Sequence, residues 1–195
     1  MEIDLEVLAE TPSITLAGLT GSPFTREAGL NATTQALNVA LPVAAALCFL
    51  IILVFVRSLR YALVTIVPIG LVVAWLYAFM YLAGFALNYV TAVIAAVSIG
   101  VGIDYSTHMT QRFREEMSKA GNRMEALRQA SQGTGMALLG SAASSVVGFA
   151  IMGFAPMPMF SAYGIITATM ILMAAAAALL VLPSLLMLVS NEKDI

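Results

Sequence analysis

The sequence predicts an all-α membrane protein with five transmembrane helices. Of its 195 residues, 61% are hydrophobic and 10% are charged, a balance that a soluble domain of this size cannot use because its surface must stay hydrated. The apolar residues are concentrated in five long runs, and a helix needs about 20 such residues to cross the hydrocarbon core. All charged residues except Asp104 lie outside these runs. Together, these observations favour helices that span a membrane.

The predicted spans are separated by links of very unequal length. Three links are very short, which makes the neighbouring spans antiparallel, and only residues 111–133 form a substantial connector. The last span is longer than a crossing requires, so it is expected to tilt, protrude or bend near Pro183. The predicted spans cover residues 37–56, 61–83, 87–110, 134–154 and 159–189.

The lysine and arginine residues predict the orientation of the chain in the cell (cytoplasmic) membrane. Placing the N-terminus outside leaves only Arg26 on the outer side, and the positive-inside rule then favours an inner C-terminus. The connector at 111–133 and the tail at 191–195 become cytoplasmic in this multi-pass arrangement. The connector is expected to be a solvated loop, or else a surface helix that contacts anionic lipid headgroups. The predicted inner residues are Arg57, Arg60, Arg112, Arg114, Lys119, Arg123, Arg128 and Lys193.

Residues 1–36 form a polar segment that differs from the rest of the chain. Positions 13–17 alternate as a strand does, and a Gly-, Ser- and Pro-containing turn cluster follows them. A strand, a turn and a lead-in helix fit this pattern. Because a lone strand is not stable, the segment is expected to pair with material outside it. The acidic start of the sequence is not typical of a secretory signal, so none is expected here. Because Cys48 is the single cysteine, no disulfide framework is expected either.

Asp104 is the charged residue that interrupts an apolar run. A carboxylate at the centre of a membrane helix costs about 2.5–3.5 kcal/mol on insertion scales, and no span supplies a lysine or arginine to neutralise it. A dry environment favours the neutral carboxyl and water access favours the charged one, which suits a proton carrier. His108 lies one turn further on the same helix face, while Tyr105 points elsewhere. The alternatives are a structural hydrogen bond for Asp104, an interfacial anchor for His108 and a packing role for Tyr105.

Small residues dominate the fourth run and flank Asp104 in the third. Rows of small residues at four-residue spacing let helix backbones approach closely, and their hydroxyl groups can hydrogen-bond across helices. Packing is the favoured interpretation, with a serine facing Asp104 as a further option. Gly100 and Gly102 lie within an apolar helix without a preceding strand, so they are expected to thin the helix rather than bind a dinucleotide. The rows are Gly140, Ser144 and Gly148, and Gly133, Ala137, Ser141 and Ser145.

The sequence contains no pattern typical of an enzyme active site. It has no metal-ligand cluster, no Ser/His/Asp set and no reactive cysteine, so neither catalysis nor a cofactor or metal is expected. The net charge of −2 does not indicate nucleic acid as a partner. Membrane lipids are the partners that the composition favours.

Several segments together resemble one known family. The stretch GVGIDYSTH at 100–108, followed by RFREE at 112–116, resembles the fourth-helix signature of resistance-nodulation-division (RND) transporters in their MmpL, hopanoid-transporter and Patched branch. The resemblance implies an exporter of hydrophobic or lipid-like cargo driven by the proton-motive force. Asp104 and Tyr105 occupy the family's Asp-Tyr relay pair, and His108 matches a position that is often histidine. Further matches lie at 54–60, 85–88, 130–135, 147–149 and 182–186.

The same resemblance implies that the chain corresponds to helices 2–6 of one RND repeat. Residues 1–36 then resemble the tail of a porter domain, and the five helices resemble the unit called a sterol-sensing domain. A second repeat, or a second copy of the chain, is the expected protein partner. Two alternatives to a transporter module remain: a lipid-binding or regulatory module in which Asp104 is structural, and a truncated or split product without independent activity.

Overall fold

The computed structural model describes residues 22–85 and 89–190, and within these ranges it contains five long helices and no strand. The predicted all-α class is therefore confirmed. The strand and turn expected before residue 22, and the tail at 191–195, lie outside the described residues. The helices are α1 Ser22–Val56, α2 Leu59–Leu82, α3 Tyr89–Ala120, α4 Arg123–Met152 and α5 Pro158–Val189.

The region expected to be a loop at 111–133 is mostly helical. α3 continues to Ala120, and α4 begins only three residues later at Arg123. Gly121 has φ of +61°, a left-handed conformation that glycine adopts without strain. The Asn122 side chain then caps α4 by accepting a hydrogen bond of 3.0 Å from the backbone N–H of Met124. The charged residues of this region stabilise helix through pairs at three- and four-residue spacing, which is why it does not form a loop.

The helices differ in how well they meet the length and composition of a membrane span. Among the described residues, α2, α4 and α5 are long and apolar enough to cross a membrane. The apolar part of α1, Pro42–Val56, is shorter. α3 combines an apolar first half with a charged second half that extends past Arg112.

α3 lies at the centre of the bundle and contacts all four other helices. A buried hydroxyl pair joins it to α2, where the Oγ1 atoms of Thr65 and Thr110 are 2.9 Å apart. Apolar side chains fill the rest of the interface between α2, α3 and α5. The largest of these, all almost fully buried, include Leu76, Val72, Ile94, Met109, Phe113, Ile166, Met170 and Leu182.

α4 and α5 approach each other closely beside their connecting turn. A Cβ atom at Gly164 would lie 2.6 Å from the carbonyl oxygen of Phe149 and 2.6 Å from the backbone nitrogen of Gly153. Real Cβ atoms do not make such contacts, so only glycine fits at position 164. The hydroxyl of Ser161 also donates a 2.6 Å hydrogen bond to the carbonyl of Gly153. The first turns of α5 are thus fixed against the end of α4.

Two single turns of π-helix interrupt α4 and α5, at Ser131–Gly135 and Ala177–Val181. The second lies just before Pro183, where the bend was expected. Proline has no N–H to bond the carbonyl four residues earlier, and its ring clashes with that carbonyl. The wider turn of a π-helix relieves this clash. The two π-turns meet where a Cβ atom on Gly135 would lie 3.4 Å from the side chain of Leu179.

Candidate functional site: an acid groove between α1 and α3

Asp104 lies in a groove of about 220 Å³ between α1 and α3, which we call the acid groove. Its side chain is exposed, meaning that the other described residues do not cover it. The carboxyl group is therefore in the middle of a helix, as the sequence predicts, but on the outer surface of this bundle. The groove is lined by Ile51, Ile52, Phe55, Ile103, Asp104, Thr107, His108 and Gln111.

Helical periodicity explains why the polar side chains meet in this groove. Asp104 and His108 are four residues apart, so they lie on one face of α3, and both are exposed. Residues on the opposite face, including Ser106 and Met109, are buried against the bundle. The geometry thus brings Asp104 and His108 together, with His108 one turn closer to the end of the bundle that holds Arg112.

Tyr105 lies on a different side of α3 from Asp104. Its side chain is only 8% exposed and reaches Ser141 of α4, with which it can share a hydrogen bond. A polar contact thus links the residue next to the acid with the following helix. Gly102 is buried, and a Cβ atom there would lie 3.5 Å from Ile69 of α2, whereas Gly100 is exposed with open space beside it.

No described lysine or arginine forms an ion pair with Asp104. The nearest basic residue along α3, Arg112, instead pairs with Glu116 at 2.8 Å and with Glu115 at 3.1 Å. The described residues also contain no group of three or more His, Cys, Asp or Glu side chains that could hold a metal ion. Asp104 is thus an acid without a basic partner among the described residues.

The small-residue rows of α4 are largely open among the described residues, although Ser141 can share a hydrogen bond with Tyr105 of α3. Gly140, Ser144 and Gly148 are exposed, and no atom lies within 4 Å of a Cβ placed on either glycine. In the second row, Gly133, Ala137 and Ser141 are exposed and Ser145 is half-buried. The row of Gly140, Ser144 and Gly148 is thus left open by the described helices, and the packing predicted for these rows stays a prediction. Close packing occurs instead at Gly164, which was not singled out in the sequence although it follows a short turn between two spans.

A larger apolar cavity of about 540 Å³ lies mainly between α1 and α2, and Ile99 of α3 also lines it. It is formed by α1, α2 and α3, and Cys48 is among its lining residues. The cavity was not predicted, because no sequence pattern reports how three apolar helices splay apart. The lining residues are Pro42, Ala45, Cys48, Ile66, Val67, Ile69, Gly70, Val73 and Ile99.

The bundle contains three apolar helices of spanning length and, in a fourth helix, an acid without a described basic partner. These features define the class as an all-α membrane protein with a polar groove on the surface of its bundle. The chain belongs to the MMPL family, whose family model matches residues 5–194. The resemblance to the RND superfamily is thereby confirmed, and the chain is a transporter-related membrane module.

The chain is also similar to a protein of Methanocaldococcus jannaschii that is described as a membrane protein. The two are 30% identical over 139 residues, which is 71% of this chain and 36% of the relative. The chain therefore corresponds to about a third of that relative's length.

Proposed function

We propose that this chain is the transmembrane module of an exporter in the cell membrane, driven by the proton-motive force and acting on hydrophobic or lipid-like cargo. In this proposal all five helices cross the membrane, with the N-terminus outside and the C-terminus inside. The position of Asp104 carries the proposal: a carboxyl group halfway along a central helix, open to a groove and without a described basic partner. Membership of a transporter family supports it.

The chemistry of a carboxyl group at this position suits proton transfer. A carboxyl within the membrane is favoured as the neutral acid when water is excluded and as the anion when water enters. One elementary charge crossing the membrane releases about 2.3 kcal/mol per 100 mV. If the acid groove is hydrated alternately from the two membrane faces, Asp104 takes up a proton from one side and releases it to the other.

His108 and Tyr105 are proposed to act on either side of this step. His108 lines the same groove one turn closer to the inner face, so it can accept the proton that Asp104 releases. Tyr105 is buried and reaches Ser141, so a change of charge at Asp104 can alter a contact between α3 and α4. Such a shift would move the helices that connect to the rest of the transporter.

A second repeat, or a second copy of the chain, is the proposed partner of the exposed small-residue face of α4. An open row of Gly and Ser allows a foreign helix to approach closely, and the row of Gly140, Ser144 and Gly148 is exposed among the described residues. The family relative is nearly three times as long as the matched segment, which is consistent with further membrane helices in the complete assembly.

Exchange of Asp104 for asparagine in the complete transporter tests the proposal. Asn keeps the size and hydrogen bonding of the side chain but cannot ionise. We expect Asp104→Asn to abolish the protonophore-sensitive efflux of the lipophilic dye Nile red, while the amount of protein in the membrane stays unchanged. Glu115→Gln is the matched control, since it neutralises an acid on α3 that is 60% exposed and already paired with Arg112. Full efflux by Asp104→Asn would remove the relay role.

The apolar cavity supports a second candidate, a lipid-binding or regulatory module in which Asp104 is structural. Its volume of about 540 Å³ lies within the range of small-molecule sites. Gly70 lines it, and a side chain there would enter open space. If this candidate is right, Gly70→Leu reduces labelling by a photoreactive fatty acid while Asp104→Asn leaves function intact. Gly100→Leu is the control, because Gly100 is open but does not line the cavity.

A further inference from the structure

One end of the bundle, which we call the basic end, gathers seven described lysine and arginine residues. It comprises the turn between α1 and α2, the second half of α3 and the start of α4. Whether these cations are held within the chain or left free decides what they can bind. The residues are Arg57, Arg60, Arg112, Arg114, Lys119, Arg123 and Arg128.

Three of the seven are held by acidic side chains of their own helix. Arg112 and Lys119 both pair with Glu116, at 2.8 Å and 3.1 Å, and the Glu116 side chain is only 5% exposed. Arg128 lies 3.8 Å from Glu125. The connector therefore satisfies these charges locally, which reduces its ability to attract lipid headgroups.

Two others bind backbone carbonyl groups at helix ends. Arg114 donates a hydrogen bond to the carbonyl of Val56, and its guanidinium carbon lies 5.2 Å from the centre of the Tyr61 ring, within cation–π distance. Arg123 donates a 3.0 Å hydrogen bond to the carbonyl of Ser190. These arginines fix the ends of α1 and α5 and are not available to a ligand.

Arg57 and Arg60 differ from the other five. Both side chains are exposed, and neither has an ion pair or a side-chain hydrogen bond among the described residues. Arg57 also has φ of +49°, a left-handed conformation in which glycine is favoured and other residues are uncommon. An arginine therefore occupies a turn position where the backbone alone would favour glycine.

The surface beside this pair is apolar. Leu59, Leu63 and Val67 are 57%, 50% and 50% exposed, and their four-residue spacing makes them one stripe along α2. A pair of free cations at the head of an apolar stripe matches one kind of ligand: a phospholipid with an anionic headgroup and chains that lie along the helix. Basic residues at an anionic membrane surface are attracted to such headgroups.

We infer that Arg57 and Arg60 bind the headgroup of an anionic phospholipid whose chains lie on the Leu59–Leu63–Val67 stripe. The bidentate guanidinium groups suit the phosphate oxygens. The site does not depend on Asp104 or on proton transfer, so it stands or falls separately from the proposed function.

Titration of the purified chain with dioleoyl phosphatidylglycerol, followed by native mass spectrometry, tests the site. The double variant Arg57→Gln/Arg60→Gln should bind this lipid about thirtyfold more weakly, the change expected from two basic residues at an anionic membrane surface. The matched control Lys119→Gln/Arg128→Gln removes two charges from the same end, at side chains that are 63% and 67% exposed and already paired. It should bind within about twofold of the wild type.

The variant Arg57→Gly separates binding from folding. Because glycine suits the left-handed conformation, this variant should melt at or above the wild-type temperature and yet bind phosphatidylglycerol about fivefold more weakly. Equal losses in the two double variants would overturn the site, since they would reveal only a general charge effect. Equally tight binding of dioleoyl phosphatidylcholine, or displacement of the lipid by equimolar inorganic phosphate, would also overturn it.

Discussion

α4 and α5 are neighbours of similar apolar character, yet the chain covers them very differently. Both helices contain a stretch long and apolar enough to cross a membrane, but 17% of that stretch in α4 and 56% of it in α5 is buried within the chain. α5 packs on α2, α3 and α4. An apolar helix can therefore either complete the fold of its own chain, as α5 does, or present an open face to lipid or to another helix, as α4 does. Glycine marks both situations, at Gly164 in α5 and at Gly148 in α4.

Alanine at these two glycines should separate the packed helix from the open one. Gly164→Ala places a Cβ atom 2.6 Å from backbone atoms of α4, where flexible side chains cannot relieve the clash, so we expect a loss of about 3 kcal/mol or more in the free energy of unfolding. Gly148→Ala enters open space and should change that free energy by less than about 1 kcal/mol. Unfolding in mixed detergent micelles measures both.

Equal destabilisation by the two alanine variants would contradict the comparison. It would mean that the open face of α4 is packed as tightly as the junction of α4 with α5.

Cysteine cross-linking should show whether the open face of α4 meets a partner helix. In a Cys48→Ala background, Ser144→Cys lies in the middle of the exposed small-residue row, whereas Leu172→Cys lies on an exposed position of α5 (60%). We expect oxidation in membranes to produce disulfide-linked dimers for Ser144→Cys and far fewer for Leu172→Cys.

Similar yields at both positions would indicate random collision in the membrane. The exposed face of α4 would then be covered by lipid rather than by a second copy.

Removal of the hydroxyl pair between α2 and α3 should have the smallest effect. Thr65→Val loses the buried bond to Thr110 at 2.9 Å, and interhelical hydrogen bonds in membranes contribute on average about 0.6 kcal/mol. Thr169→Val is the control, because the Thr169 hydroxyl bonds only to Ile165 of its own helix. A double-mutant cycle with Thr110→Val isolates the bond, and a coupling energy of zero would show that it does not hold the packed region together.

The sequence predicts the features that depend on composition and on helical period. It predicts the all-α class from its apolar runs, and it places Asp104 and His108 on one face because four residues make about one helical turn. It does not reveal that this face points away from the bundle, because periodicity shows which residues share a face but not what contacts that face. For the small-residue rows of α4, likewise, the spacing predicts a smooth face suited to close packing but does not identify the helix that would pack there.

Other features were hidden because they depend on contacts between distant segments. The steric requirement at Gly164 arises from the carbonyl of Phe149, and the freedom of Arg57 becomes visible only when the partners of the other basic residues are known. The connector was expected to be a solvated loop or else a surface helix, because its basic residues fit the positive-inside rule in either form. Those charges instead pair along the helix, as Arg112 does with Glu116.

The proposed transport mechanism requires that Asp104 changes its protonation state. Infrared difference spectroscopy of the complete transporter in lipid bilayers, recorded as the pH is changed, measures the C=O stretching band of protonated carboxyl groups. We predict a pH-dependent band that disappears in Asp104→Asn and persists in Glu115→Gln. A wild-type spectrum without such a band, or one that Asp104→Asn leaves unchanged, would contradict the proton-relay account.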